Sequence, residues 1–175
     1  MAKVIISIGI PGSGKTAVLK KFAEKYGYNY VCPDDIRVEL SGSAADQSKN
    51  SEVWSVARQR MKDGLSIGDT VVFDATFATP EGRKRFLDFA KESGAEKVQG
   101  IFFNTPLEVA KERNLKRERQ VPEHVLERMD GILRADEPRL EEGLDSIFTL
   151  DEYQKLVTVE RRTEDGEIKR ELKSR

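Results

Sequence analysis

Gly9-Ile10-Pro11-Gly12-Ser13-Gly14-Lys15-Thr16 stands directly behind the apolar run Val4–Ile8, and its residue types suit one task. The spacing is G-x-x-x-x-G-K-S/T, behind a predicted strand and ahead of a predicted helix, which is the context a phosphate-binding loop requires. Glycines let successive backbone N–H groups turn toward phosphate oxygens, and the following helix adds its positive end. Lys15 would reach the β- and γ-phosphates, and the Thr16 hydroxyl would bind Mg²⁺. Gly9, Pro11, Gly12, Ser13, Gly14, Lys15 and Thr16 are therefore the candidate nucleotide-binding residues. A nucleoside triphosphate is the expected ligand, and the loop alone leaves kinase, switch and motor open.

Other stretches supply acids and cations. Val71-Val72-Phe73-Asp74 is an apolar run closing on a carboxylate, where such folds place the acid that holds magnesium directly or through water. Cys32-Pro33-Asp34-Asp35-Ile36-Arg37 follows another predicted strand. Ligands of open α/β sheets sit beyond the carboxyl ends of strands, so Asp34 or Asp35 could accept a hydroxyl proton. Capping a short helix is the competing role for either acid. Arg37 could hold an anion on an acceptor, or lie plainly on the surface. Arg113 and Arg117 are spaced i, i+4 and so share one face of a predicted helix, where two guanidinium groups can close over a triphosphate. A solvated helix end is the alternative for that pair. Arg83-Lys84-Arg85 reads as a solvated helix face. Cys32 and His124 have no partner in sequence that would make a nucleophile and base of them, and both read as structural.

These residues need elements to position them. Strands are predicted over Lys3–Ile8, Tyr28–Cys32, Thr70–Asp74, Lys97–Phe103 and Ser146–Leu150, alternating with amphipathic stretches, the pattern of a parallel α/β sheet. Val18, Leu19, Phe22, Ala23 and Tyr26 mark one helix, ended by Gly27, and Trp54, Ala57, Met61 and Leu65 mark another. Thr79-Pro80 reads as an N-cap with Pro at the first helical position, and Gly94 as that helix's stop. Thr105-Pro106-Leu107-Glu108 reads as a capping box opening a helix through about residue 117. Pro122 starts the next helix, and Ser41–Asn50 is a polar loop. Residues 1–155 thus form the expected single domain. Residues 156–175 form a charged extension, with a hairpin over Leu156–Arg161 and Glu167–Leu172 that is too charged to join a core.

Thirty basic residues against 31 acidic give a formal net charge of −1, so a polyanionic partner must be gripped by a local patch. One Cys and one His exclude a disulfide framework and a zinc site. No apolar run is long enough for a signal peptide or a membrane span, and a soluble, cytoplasmic protein that does not bind membranes is expected.

Taken together, the chain resembles the 5′-hydroxyl polynucleotide kinases of phage and bacterial nucleic-acid end-healing systems. The matching pieces are Gly9–Thr16, Asp34-x-x-Arg37, Asp46-Gln47-Ser48 and Val72-Phe73-Asp74-Ala75-Thr76. They continue with Phe102-Phe103-Asn104-Thr105-Pro106, Glu112-Arg113-Asn114-x-x-Arg117 and Arg119-Gln120-Val121, in order over roughly residues 3–150. The resemblance implies an α/β P-loop kinase fold, a parallel sheet flanked by helices, with an Arg-bearing lid. It makes Asp34 the general base and puts Arg37 on the phosphate 3′ to the acceptor nucleotide, with Thr76 also on the acceptor side. Lys15, Arg113 and Arg117 would serve the ATP phosphates, and Thr16 and Asp74 the Mg²⁺. Some relatives carry phosphatase or ligase modules. The residues after the kinase region leave no room for either, so a separate phosphatase or ligase is the expected partner. The reading is ATP-dependent transfer of the γ-phosphoryl group to a 5′-OH end of RNA or DNA. A P-loop kinase for a small alcohol or nucleoside, and an ATP-binding regulatory module that transfers nothing, are its rivals.

Overall fold

In the computed structural model, which describes residues 1–173, the apolar runs become strands and the amphipathic stretches helices. The order is β1 (Lys3–Ile8), α1 (Lys15–Tyr26), β2 (Asn29–Val31), α2 (Pro33–Ser41), α3 (Asn50–Ser66), β3 (Thr70–Phe73) and α4 (Pro80–Glu92). It continues with β4 (Lys97–Phe103), α5 (Leu107–Leu115), α6 (Glu123–Ala135), a 3-10 turn at Leu140–Glu142, β5 (Ser146–Leu150), β6 (Leu156–Arg162) and β7 (Ile168–Leu172). One sheet holds all seven strands in the order β2-β3-β1-β4-β5-β6-β7. The first five are parallel, as the alternating pattern requires. The last two run antiparallel, which makes the sheet mixed.

Strand β1 carries the logic of the core. Val4, Ile6 and Ile8 point to one face, packing with Met61 of α3 and Leu87 of α4, while Ile5 points to the other, with Leu19 and Ala23 of α1. Both faces are covered, so the strand reads as a continuous apolar run rather than an alternating one. Each fully buried Ile or Val contributes about 1.5–3 kcal/mol. The exception is Ser7, fully buried at the carboxyl end of β1, whose hydroxyl is turned toward the site.

Three expectations need correcting. The tail is not excluded from the core: β6 pairs with β5, and Val159 is only 1% exposed. Its charges sit on the other residues of the strand, and β7 at the sheet edge is exposed throughout. The capping box at Thr105 does not form. Pro106 is the cap, and the Thr105 hydroxyl instead donates to the Ser13 carbonyl at 3.3 Å. Nor is Arg83 solvated. It lies fully buried on the apolar stripe of α4 with Phe86, Leu87 and Ala90, and its guanidinium clasps Glu142 through Nε at 2.6 Å and Nη2 at 2.7 Å. It also donates to the carbonyls of Ala78 at 3.1 Å and Asp136 at 2.9 Å. That knot ties α4, the 3-10 turn and the Phe77–Ala78 connection together. Among the described residues no helix is long and apolar enough to cross a membrane.

Candidate active site

The loop between β1 and α1 is shaped by two close approaches. A Cβ on Gly12, at φ +84°, would lie 2.3 Å from the Ala110 carbonyl oxygen of α5, and one on Gly14, at φ +92°, 2.6 Å from Gln154 Nε2. At Gly12 only glycine satisfies both the left-handed backbone and the space, whereas at Gly14 the left-handed φ is the constraint, since the Gln154 amide can move aside. Gly9 and Ser13 are buried beneath the loop, with the Gly9 N–H donating to the Thr76 carbonyl at 3.1 Å, while Pro11, Gly12, Gly14, Lys15 and Thr16 line a cleft of about 760 Å³.

Lys15 is buried, and its ammonium donates to the Ile10 carbonyl at 2.8 Å. Burial pushes its pKa down to about 8, against the opposing pull of Asp74. Asp74, directly after β3, is the hub. Its Oδ2 accepts from the Thr16 hydroxyl at 2.7 Å and the Tyr30 hydroxyl at 2.6 Å, and its Oδ1 accepts from Ser7 at 3.1 Å. Burial, with Asp74 beside it, holds the Tyr30 phenol far above its ordinary range, so it serves as a fixed donor. Thr16 and Asp74 together offer hard oxygen donors beside the phosphate loop, a set that suits Mg²⁺, which takes one or two protein oxygens and completes its shell with phosphate and water.

Asp34, the second residue of α2, sits where this cleft meets a second one of about 920 Å³; Arg37, Asp74 and Thr76 also line both. The Asp34 carboxylate accepts from Arg37 Nη1, and Arg119 Nη1 lies 3.5 Å from the same oxygen. Asp35 lines neither cleft and pairs with Lys20 at 2.9 Å, so the geometry separates two acids that their residue type alone leaves equivalent. Arg37 is 5% exposed, held by Asn50 Oδ1 at 2.9 Å, and its Nε has no partner within the protein.

Arg113 and Arg117 do not share a helix face: α5 ends at Leu115, and Arg117 lies in the turn beyond it. Both nevertheless line the nucleotide-side cleft. Arg113 Nη2 donates to the Glu152 carbonyl at 2.5 Å, and its Nη1 is buried without a partner. Asn114 clasps Val121 in both directions, Nδ2 donating to its carbonyl at 2.8 Å and Oδ1 accepting its N–H at 3.0 Å, so the segment from Leu115 to Gln120 forms a pinned arch. Sequence reasoning gave no role to Tyr30, Gln154, Arg119 or Arg128. Arg119 stands in the cation run and Arg128 on the cleft-facing stripe of α6 with Val125 and Met129, whereas nothing in the local sequence marks Tyr30 or Gln154. The Cys32 thiol is pushed up to about 11 by burial, and His124 is exposed and lines neither cleft, which leaves no nucleophile pair.

The sequence profile of the AAA domain family matches residues 4–135. The chain is 29% identical over 112 residues to an Acanthamoeba polyphaga mimivirus protein named as a bifunctional polynucleotide phosphatase/kinase, a match covering 64% of this chain and 23% of that one. It is 26% identical over 149 residues to the cytidylate kinase of Methanocaldococcus jannaschii, covering 85% of this chain and 81% of that enzyme. Among solved structures, a chain of the Pnkp1/Rnl/Hen1 RNA repair complex superimposes with a TM-score of 0.70 at 20% identity, over 77% of this chain and 44% of that chain. At that identity the likeness establishes the P-loop kinase fold alone. The chain spans about a quarter of the viral relative and under half of the repair-complex chain.

Proposed function

The chain belongs to the AAA domain family and has the fold of a P-loop kinase, and on that premise we propose that it transfers the γ-phosphoryl group of ATP to the 5′-hydroxyl end of RNA or DNA. The observation that carries this reading is Asp34 on the seam between two clefts, with the buried Arg37 beside it lining both. Nucleotide phosphates fit the cleft of Lys15, Arg113 and Arg117. Thr16 and Asp74 would hold Mg²⁺, which when bound neutralises charge on the phosphates. Asp34 accepts the hydroxyl proton as the acceptor oxygen bonds to the γ-phosphorus, and the bond from that phosphorus to the β–γ bridging oxygen breaks, its electrons leaving with ADP. In a loose transition state that proton moves late, so the carboxylate chiefly aligns the attacking oxygen. Arg37, with a buried N–H lacking a protein partner, suits the phosphate 3′ to the acceptor sugar, which a simple alcohol does not have.

The small-acceptor reading is supported by the likeness to cytidylate kinase over most of both chains. Labelled ATP offered with a 5′-OH oligonucleotide and with a panel of nucleosides, nucleotides and sugars separates the two. Label only in the small acceptors overturns the proposal, and a module that transfers nothing labels neither. Asp34→Asn is expected to lower label transfer by about 10²–10⁴-fold while ATP binding survives; unchanged turnover removes Asp34 from the role. A separate phosphatase or ligase working with this chain in the cytoplasm belongs to the same proposal, supported by the names of the polynucleotide-processing relatives.

A further inference from the structure

We propose that the acceptor cleft contains a second anion clamp, Arg58 with Arg85, which grips a phosphate farther along the acceptor strand than the one met by Arg37. The preferred acceptor is then a single-stranded 5′-OH oligonucleotide, not a mononucleotide. This rests on the polynucleotide reading and adds to it a direction and a minimum length.

The long walls of the 920 Å³ cleft are helices α3 and α4. Asn50, Trp54 and Arg58 line it from α3 at spacings of four, which sets them on one helical stripe. Asn50 is the residue that holds Arg37. At a rise of about 1.5 Å per residue, Arg58 begins roughly 12 Å farther along the wall. The opposite wall repeats the arrangement, because Thr79, Gly82 and Arg85 line the cleft from α4 at spacings of three. Between the two ends lie the half-buried rings of Trp54 and Phe77. Bases stack on such faces whatever their identity.

Charge is sorted along this path. The acids lining the cleft are Asp34 and Asp74, both at the seam with the nucleotide side. At the far end, neither Arg58 nor Arg85 has a carboxylate within ion-pair distance among the described residues. Their neighbours do: Arg60 is paired with Glu39 at 2.5 Å and Lys84 with Asp88 at 3.0 Å. The Arg58 guanidinium instead lies 5.3 Å from the centre of the Phe89 ring, a contact that consumes no N–H···O hydrogen bond. In a chain of net charge −1, this is a local cationic patch, set roughly 12 Å along α3 from the residue that holds Arg37. A strand with its hydroxyl at Asp34 and its phosphates running outward meets Arg37 first and the clamp later.

The test compares kcat/KM for a 5′-OH nucleoside 3′-phosphate with that for longer 5′-OH single strands. The wild type is expected to favour the longer strand by about tenfold or more, and Arg58→Ala with Arg85→Ala to cut that advantage to about twofold without changing the mononucleotide rate. The salt dependence of strand binding, measured by fluorescence anisotropy, should lose about 0.7 in log–log slope for each phosphate contact removed. Both side chains are exposed, so the variant is expected to fold, and the Lys pair should keep most of the advantage. Lys84→Ala removes one positive charge from the same helix, outside the cleft lining, and should change nothing. A double Ala variant that retains the length advantage overturns the clamp and leaves the kinase reading standing. Label in nucleosides with none in any strand overturns both.

Discussion

Lys15 and Arg83 are both buried cations, but their surroundings differ sharply. Arg83 spends its donors on Glu142 and on backbone carbonyls, and no nitrogen of its guanidinium is left unpaired. Lys15 has a single carbonyl within hydrogen-bond reach and a depressed pKa. Among the described residues, three of the four buried side-chain donors without protein partners lie around the two clefts, Ser13 Oγ in the loop, Arg113 Nη1 over it and Arg37 Nε beside Asp34, while the fourth, Ser93 Oγ, lies at the carboxyl end of α4. Satisfied burial holds a fold together, whereas unsatisfied burial is a stored preference for an incoming anion. One cation is bound into the fold, and the other is left for the site proposed above.

The widest test of that contrast is Arg83→Met. It should cost about 3 kcal/mol in denaturant unfolding, because Glu142, its side chain 14% exposed, is left as a largely buried charge without its partner. Adding Glu142→Leu should recover part of the loss; no loss at all would put Arg83 in the same class as Lys15. Lys15→Met should do the reverse, lowering phosphoryl transfer by about 10²–10³-fold while raising the unfolding midpoint. The sign follows from the lowered pKa. Below about 8 the folded state bears a buried charge that the unfolded chain solvates, so the penalty is present at neutral pH and is relieved as pH rises from about 8 toward 10.5. A lowered midpoint in Lys15→Met would contradict this. The same shift predicts that ATP affinity falls by up to about tenfold per pH unit above about 8, with proton uptake on binding, and that Lys15→Arg flattens the dependence. Calorimetry in buffers of different ionisation enthalpy reads it. The smallest effect should come from Arg113→Ala, about tenfold weaker ATP binding, since its Nη2 is already engaged by Glu152.

Much of this was readable from residue order. Strands β1, β4 and β5 lie where β-branched and aromatic residues cluster, because strands packed inside a parallel sheet draw mostly on such residues. The phosphate loop was legible because its glycines answer to local backbone geometry. What escaped were properties that only packing decides. Three consecutive basic residues look like a wet surface, yet helical spacing puts Arg83 under α4, where Glu142, 59 residues away, waits for it. Thr105 has the type of a cap, but a tertiary partner, the Ser13 carbonyl, took its hydroxyl. Asp34 and Asp35 are alike in residue type; the resemblance singles out Asp34 by its spacing to Arg37, and packing adds that Asp35 is paired with Lys20 while Asp34 lines both clefts. Tyr30 is the same kind of miss, since its role is defined by an Asp74 hydrogen bond formed across 44 positions.

The Asn114 clasp has a mechanical consequence for the cations it carries. With both feet of the arch stapled to one amide side chain, Arg117 and Arg119 can swing only through a short arc. Their reach is set by side-chain length, not by backbone wandering. Drawing them down onto a triphosphate therefore freezes few backbone torsions, and the arch behaves as a hinged bail, not a loose flap.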